Sequence, residues 1–353
     1  MHNAATPARV PGHARPVAIN ARAAIRAEIG GVERFAQEMA LRLPALRPDR
    51  YRVIRPPVAL AHRAGHAWEQ AILPLQTVRA RLVYSPANLA PVLGRGNVVV
   101  IHDAAALRHP DAYSATYVAY QRRLLPLIAA RARLLITVSE FSRQELVELL
   151  RVRPERVQVI PEGVDERFSP DVDPAPARAR HSLPARYALV VGTVSARKNL
   201  EVLEPAADML RRRGIELVIA GSGRGYLRGA ATPLHRLGYV PEEDLPALYA
   251  GALALAMPSR YEGFGLPCLE AMASGVPVIA ADAGALPETC GDAALLVAPD
   301  DAGGFADALL SVVSEPDVRD RLVAAGLARA ARLTWDATAA RTDRAISHVL
   351  ARG

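Results

Sequence analysis

The stretch SRYEGFGLPCLEAMASG (residues 259–275) lies between two apolar runs, residues 252–257 and 276–280, whose make-up suits buried strands. Gly263 and Gly265 leave neighbouring backbone N–H groups unobstructed by a Cβ atom. Pro267 suits the first turn of a helix, and Gly275 supplies its stop. A strand, a glycine loop and a helix N-terminus in that order form an anion-binding arrangement. Glu262 and Glu270 stand eight apart, which means little alone. With 36 acids among 353 residues, about 3–4 such pairs arise by chance. What separates them is informative. Glu270, one turn into the helix, can accept two hydrogen bonds from a vicinal diol such as a ribose. Glu262 stands on the loop, free to meet a second hydroxylated group. The plainer alternative is that the glutamates cap a helix and the glycines make a turn.

The same alternation extends in both directions. Strand patterns fall at residues 16–20, 51–54, 82–85, 97–101, 134–138 and 157–160, with helical patterns at 32–43, 114–131 and 142–150. A second series follows: strands at 188–191, 216–220, 237–240, 252–257, 276–280 and 295–297. Its helices fall at 200–213, 243–249 and 268–274, and three more, 301–313, 317–330 and 334–350, close the chain. Val98, Val99, Val100 and Ile101 form a continuous apolar run, as a parallel strand covered on both faces requires. Two βα arrays predict an α/β protein of two doubly wound, Rossmann-like domains facing across a cleft. The expected division is residues 1–166, a linker at 167–184 and residues 185–333. The linker sequence Ser-Pro-Asp-Val-Asp-Pro-Ala-Pro reads as extended.

Composition bounds the function. Apolar residues make up 51% and charged residues 22%, a globular balance that excludes disorder as the main state. No run approaches the ~18 apolar residues needed to span a bilayer. The first sixteen residues contain no apolar core of a leader peptide. Two cysteines, Cys268 and Cys290, are too few for a disulfide framework and point to a reducing, cytoplasmic setting. Net charge is +7, carried by the front: residues 1–166 hold 23 arginines against 14 acids, whereas residues 167–353 hold 20 bases against 22 acids. Such a front suits a phosphorylated substrate, a membrane surface or nucleic acid. Nucleic acid is the least favoured, because no basic–aromatic interleaving, zinc spacing or RNA-recognition signature occurs.

The chain has a single lysine, Lys198, beside 42 arginines. It lies in VVGTVSARKNL, after a strand ended by Gly192 and before a helix expected to begin near Asn199. Arg197 and Lys198 thus sit side by side in a strand-to-helix loop, where cations for a diphosphate belong: Arg as a planar fork, Lys as a point charge. Gly221-Ser222-Gly223 follows the next strand and is too short for a dinucleotide fingerprint, so it reads as a turn able to approach a nucleotide. In the front half, Gly30-Gly31 opens a helix whose amides can face a phosphate, though a plain helix entry fits as well. His102 follows a strand's carboxyl end, a place suited to chemistry, with a satisfied structural histidine as the alternative. Ser139-Glu140-Phe141-Ser142 reads first as a helix cap and second as a substrate contact.

The carrying segments are GGVERF, IHD, VSEFS, IPEGVD, VGTVSARKNL, LGYVPEEDLPALY and PSRYEGFGLPCLEAMASGVPVIA. Through them most of the chain resembles the retaining family 4 glycosyltransferases of the GT-B fold. By that resemblance Glu270 would hold the ribose of a nucleotide sugar and Glu262 the hydroxyls of the transferred sugar. Amides of Gly263, Phe264, Gly265 and Leu266 would bind the sugar or its phosphates, and Arg197 and Lys198 would neutralise the diphosphate. Gly31, Gly192, Gly221 and Val240 would line the donor, and His102 would sit by the reacting carbon. The last helix, residues 334–353, would cross back to the acceptor-side front domain. Two departures stand out. Thr193 occupies a position where many relatives carry Arg, which Arg197 can replace. Glu162-Gly163-Val164-Asp165 replaces the common Asn-Gly-Val-Asp, with no effect expected on donor binding.

The resemblance implies hexose transfer from a nucleotide diphosphate sugar (GDP-mannose, or a UDP- or dTDP-hexose) to a hydroxyl acceptor, with retention. No metal or other cofactor is expected, because Arg197 and Lys198 can meet the diphosphate charge. The acceptor stays open among saccharides, lipid-linked carriers and small molecules, and so does the oligomeric state. Residues 113–133 carry Arg122, Arg123, Arg131 and Arg133 among apolar residues, a face able to rest on the inner side of an anionic membrane or simply to be solvated. Two other functions share the fold: a sugar-nucleotide epimerase or hydrolase using His102 or a carboxylate as base, and a non-catalytic nucleotide-sugar binder.

Overall fold

Val98, Val99 and Val100 expose no surface, which requires helices on both faces of their sheet. The computed structural model describes residues 15–26, 28–57, 65–93, 96–223, 226–227 and 234–352. The leader-free reading of the first sixteen residues falls, except at Arg15 and Pro16, outside the described residues, and so does Gly353 of the last segment.

Twelve strands are β1 (Val17–Asn20), β2 (Tyr51–Ile54), β3 (Leu82–Ser85), β4 (Asn97–Val100), β5 (Ala132–Thr137), β6 (Val157–Val159), β7 (Tyr187–Val191), β8 (Glu216–Ala220), β9 (His235–Gly238), β10 (Leu255–Met257), β11 (Val278–Ala281) and β12 (Ala294–Val297). They form two parallel sheets of six, ordered β2-β1-β3-β4-β5-β6 and β12-β11-β10-β7-β8-β9. Strand order reverses between β1 and β3 and again between β7 and β10, and a doubly wound sheet opens its crevice at the carboxyl ends of such a pair. The GT-B architecture expected from the sequence is present.

The carboxyl-terminal helix Trp335–Ala351 returns to pack on the helix Gly31–Leu46. Thr334 starts it, its hydroxyl accepting from the Ala337 N–H at 3.2 Å. The Trp335 ring meets Phe35 edge to face, centroids 5.8 Å apart. Asp343 fixes the far end, accepting from the Tyr51 hydroxyl at 2.7 Å and from Arg50 Nη1 at 2.9 Å.

Three local expectations need correction. The proline-rich stretch 167–184 is not wholly extended: Ala175–Arg180 is helical. Pro174 and Pro176 fall where a helix needs no N–H donor, and Asp173 Oδ1 accepts from the Ala175 N–H at 2.9 Å. No regular helix begins at Asn199, whose φ of 54° is left-handed; a 3₁₀ turn, Leu200–Leu203, precedes the helix Glu204–Arg211. The strand expected at 237–240 is displaced to His235–Gly238, where its register with β8 shifts between Ile219 and Ala220. The basic face of the helix Ala115–Arg131 is also thinner than its sequence suggests. Arg131 Nη1 donates to the Val92 carbonyl at 3.3 Å, and Arg133 Nη2 to that of Val349 at 2.9 Å. Among the described residues, no helix is long and apolar enough to cross a membrane.

Trp335 is 1% exposed at the junction of the returning helix. Trp335→Ala is expected to lower unfolding stability by about 3–5 kcal/mol, read from the midpoint of a urea titration. An unchanged midpoint would contradict this packing.

Candidate active site

Three turns following β7, β8 and β10 form the carboxyl-terminal wall of the cleft. Gly192 ends β7 with φ +142°, and a Cβ there would lie 2.7 Å from Lys198 Nζ. Gly221, at φ +155°, brings its backbone against Gly192, whose carbonyl oxygen would be 1.9 Å from an added Cβ. Both positions therefore demand glycine, for close approach and for backbone angle. Left-handed Asn199 anchors the next turn, its Nδ2 donating to the carbonyls of Pro258 at 3.1 Å and Pro299 at 2.7 Å. That anchor turns Arg197 and Lys198 toward the loop after β10.

Glu262 is not free, as the sequence suggested. Lys198 Nζ stands 2.8 Å and Arg197 Nη1 2.9 Å from its Oε1, and Arg197 also donates to the Tyr261 carbonyl. Burial pushes the Glu262 carboxyl up, but Arg197 and Lys198 outweigh it and hold the group down at about 2. Burial lowers the Lys198 ammonium despite Glu262. Half-buried Arg197 and buried Lys198 carry one more charge than Glu262, and the Asp103 carboxylate near Arg197 offsets that surplus in part.

Glu270 lies in the helix Leu266–Ala273, 3% exposed. Tyr249 donates its hydroxyl to Oε2 at 2.8 Å, and Arg34 of the Gly31–Leu46 helix pairs with Oε1. Burial pushes the Glu270 carboxyl up against the pull of Arg34. Arg34 Nε also donates to Glu242 at 2.9 Å, and its guanidinium lies 5.7 Å from the centre of the Phe168 ring. The front sheet's first helix thus reaches across to the carboxylate expected to read a ribose.

The opposite wall follows β4. His102 Nδ1 donates to Glu162 Oε1 at 2.9 Å and Nε2 to the Pro86 carbonyl at 3.0 Å. Both ring nitrogens are thus engaged. Burial lowers its pKa, but these hydrogen bonds outweigh burial and hold it above the ordinary value. The ring also packs edge to face on Phe35, centroids 4.8 Å apart. Expected beside the reacting carbon, His102 does line the cleft, but its ring has no free nitrogen with which to act as a base. The Ser139–Ser142 turn is a clasp as well as a cap. Ser139 accepts from the Ser142 N–H at 3.0 Å and donates to the Gly263 carbonyl at 2.6 Å. Ser142 Oγ donates to the His102 carbonyl at 2.9 Å.

Every residue expected at the site borders one cleft of about 460 Å³: Gly31, His102, Gly192, Arg197, Lys198, Gly221, Val240, the loop from Glu262 to Leu266, and Glu270. That volume is ordinary for a small-molecule site. Gly31 faces open space, with nothing within 4 Å of an added Cβ. Among the described residues, no three His, Cys, Asp or Glu side chains gather to hold a metal ion.

Residues 185–315 match the family described as "Glycosyl transferases group 1", and residues 82–168 match "Glycosyltransferase Family 4". The chain is 31% identical over 299 residues to O-antigen chain mannosyltransferase B of Escherichia coli, covering 78% of this chain and 75% of that one. The chain belongs to glycosyltransferase family 4. This glycosyltransferase is also 36% identical over 248 residues to D-inositol 3-phosphate glycosyltransferase of Frankia alni, covering 64% of this chain and 60% of that one. Sucrose-phosphate synthase from Thermosynechococcus elongatus shares its fold, with TM-score 0.74, 20% identity and coverage of 96% and 100%. So does Anabaena HepE, solved with UDP and glucose, with TM-score 0.71, 18% identity and coverage of 95% and 100%. The enzyme is therefore a retaining hexosyltransferase that takes its sugar from a nucleotide-sugar donor.

Sequence reasoning missed three members of the candidate site. Arg34 lay inside the quoted GGVERF, but only folding brings it to Glu270. Tyr249 sits in the VPEEDLPALY segment with no sign of its partner. Glu162 was noticed as a departure, and its carboxylate proves to be what holds His102. Because the Glu262 pKa falls from 4.5 to about 2 on folding, its ionisation stabilises the native state above the unfolded value and is lost as pH falls toward the folded one. Glu262→Gln is expected to flatten the decline of melting temperature between about pH 5 and pH 3. An equal slope in wild type and variant would contradict the ion triplet.

Proposed function

We propose that the enzyme moves a hexose, mannose from GDP-mannose in the first reading, to a hydroxyl acceptor with retention of α configuration and without a divalent metal. The observation carrying this reading is the Arg197–Lys198–Glu262 triplet at the mouth of the glycine loop. When a diphosphate enters, the cations pair with it and Glu262 is released to accept hydrogen bonds from the sugar. As the anomeric C–O bond breaks, charge grows on the departing phosphate oxygen. Arg197, Lys198 and the amides from Gly263 to Leu266 meet it, and one such donor is worth roughly 3–4 kcal/mol. The acceptor oxygen bonds to the same face of the anomeric carbon, and its proton passes to the leaving phosphate oxygen. Glu270 takes the ribose hydroxyls, sharing its carboxylate with Arg34. Gly31, Gly192, Gly221 and Val240 border the nucleotide and its phosphates. His102 contributes a ring fixed by Glu162 and the Pro86 carbonyl on the wall beside the reacting carbon.

In this scheme residues 185–333 bind donor, while residues 1–166 with the helix from 334 bind acceptor. Mannose is favoured by the A-R-K-N sequence and by the similarity to O-antigen chain mannosyltransferase B. The HepE complexes with UDP-glucose make a uridine donor the second reading. An epimerase or hydrolase would need a general base at His102 or a carboxylate, and both His102 ring nitrogens are engaged.

Turnover with GDP-mannose, UDP-glucose and dTDP-glucose, each in EDTA, tests the proposal. Wild type is expected to act best on GDP-mannose and to keep its rate in the chelator. Lys198→Ala should lose about 10²–10³-fold in kcat. Complete loss in EDTA, or a variant with normal kcat, would overturn it.

A further inference from the structure

We propose that Tyr261 is a positioning residue: its ring, seated in a pocket of the front half, holds the backbone carbonyl that aims Arg197 at a diphosphate. The inference rests on the glycosyltransferase reading and adds to it a residue that does not itself line the cleft. Tyr261 belongs to the turn after β10, yet it is 2% exposed in an apolar cluster with Ala105, Ala106, Ala112, Tyr113 and Val118. All five lie in the front half. The ring meets His109 edge to face, centroids 5.1 Å apart, and Phe141 in the same way at 5.2 Å. Its hydroxyl accepts from the Ala104 N–H at 3.4 Å. Burial, then the Asp103 and Glu145 carboxylates, raises that hydroxyl far above the phenol range, so the side chain stays neutral.

The backbone of the same residue faces the other way. The Tyr261 carbonyl accepts from Arg197 Nη1, the nitrogen that also stands 2.9 Å from Glu262 Oε1. The Arg260 N–H returns a bond to the Arg197 carbonyl at 3.0 Å, and the Glu262 carbonyl accepts from the Ala285 N–H at 3.0 Å. Gly284, at φ +60°, lets that strand of backbone approach, since an added Cβ would lie 2.8 Å from the Glu262 nitrogen. The front half holds this loop at two points: Tyr261 through its ring, and Gly263 through Ser139 and Ser142 at 2.6 and 3.1 Å. Only the first belongs to the residue whose carbonyl Arg197 uses.

Diphosphate binding draws on this arrangement. When the anion enters, Arg197 exchanges Glu262 for phosphate, and the Tyr261 carbonyl is the contact that it keeps. A neutral acceptor orients the guanidinium without consuming its charge, which leaves the fork free for bidentate pairing. A ring out of its pocket lets the carbonyl turn, and the guanidinium loses its fixed partner. Displacement of such a group by about 1 Å can cost about 10²-fold in rate. Lys198, held 2.8 Å from Glu262 Oε1, does not depend on that carbonyl.

The test needs no acceptor. On the full chain, calorimetry measures affinity for GDP and GMP, and for UDP and UMP, while melting temperature is followed from pH 5 to pH 3. Tyr261→Ala is expected to shrink the preference for diphosphate over monophosphate about tenfold, with monophosphate affinity kept. It should also flatten the acid decline of melting temperature, because a Glu262 carboxyl without Arg197 titrates nearer its ordinary value. Tyr261→Phe keeps the ring and should retain the wild-type preference and slope. Phe141→Ala thins the pocket from the front half and serves if Tyr261→Ala does not fold; about a threefold loss of preference is expected. Wild-type preference and slope in both alanine variants would overturn the assignment, even beside a lowered melting temperature. So would a Tyr261→Phe defect as large as that of Tyr261→Ala. Should wild type prefer neither diphosphate, the donor reading fails instead, and the acid slope alone decides the role of Tyr261.

Discussion

Two cations and one carboxylate share a buried pocket, and the rest of the site is arranged around them. Removing charges from water is expensive, and a pair repays that only with good geometry. Arg197 and Lys198 stand 2.9 and 2.8 Å from Glu262 Oε1 because their loops are locked elsewhere: Asn199 ties the cation turn to Pro258 and Pro299, and Gly192 clears space for the ammonium. The triplet is unbalanced by one positive charge. That surplus suits it to receive an anion, and Glu262 keeps the cations oriented in the meantime.

Contacts between the two sheets keep the walls of the cleft in register. Arg34 reaches Glu270, Ser139 reaches Gly263, and Glu288 accepts the Glu140 and Phe141 N–H groups at 2.9 and 3.2 Å. Each joins a group from one domain to a site loop of the other, or to its immediate support. A ligand that binds Glu270 or the glycine loop therefore acts on both domains at once, and any change in their separation is felt at these bonds.

Local patterns in the sequence carried most of the fold. Runs such as Val98–Val100 are readable because burial on both faces leaves no polar alternation to confuse them. The proline-rich stretch around Ala175 misled because proline marks a helix's first turn as well as an extended segment. Asn199 misled because a left-handed residue leaves little trace in composition. The site divided along the same line. Residues gathered by one loop, from Glu262 to Glu270 or Arg197 to Lys198, could be named from the strand, glycine and helix signals around them. Their electrostatic partners could not, because Arg34 with Glu270 and His102 with Glu162 are joined only by tertiary packing.

The solitary lysine has a practical corollary. Lys198 is 7% exposed, so the folded chain displays arginine where most proteins display ε-amines. Acylating reagents, aldehyde fixatives and amine cross-linkers find hardly any side-chain handle on its exterior. Whatever modification does reach a lysine side chain occurs inside the cleft, and the extent of labelling at Lys198 becomes a gauge of whether that cleft is filled.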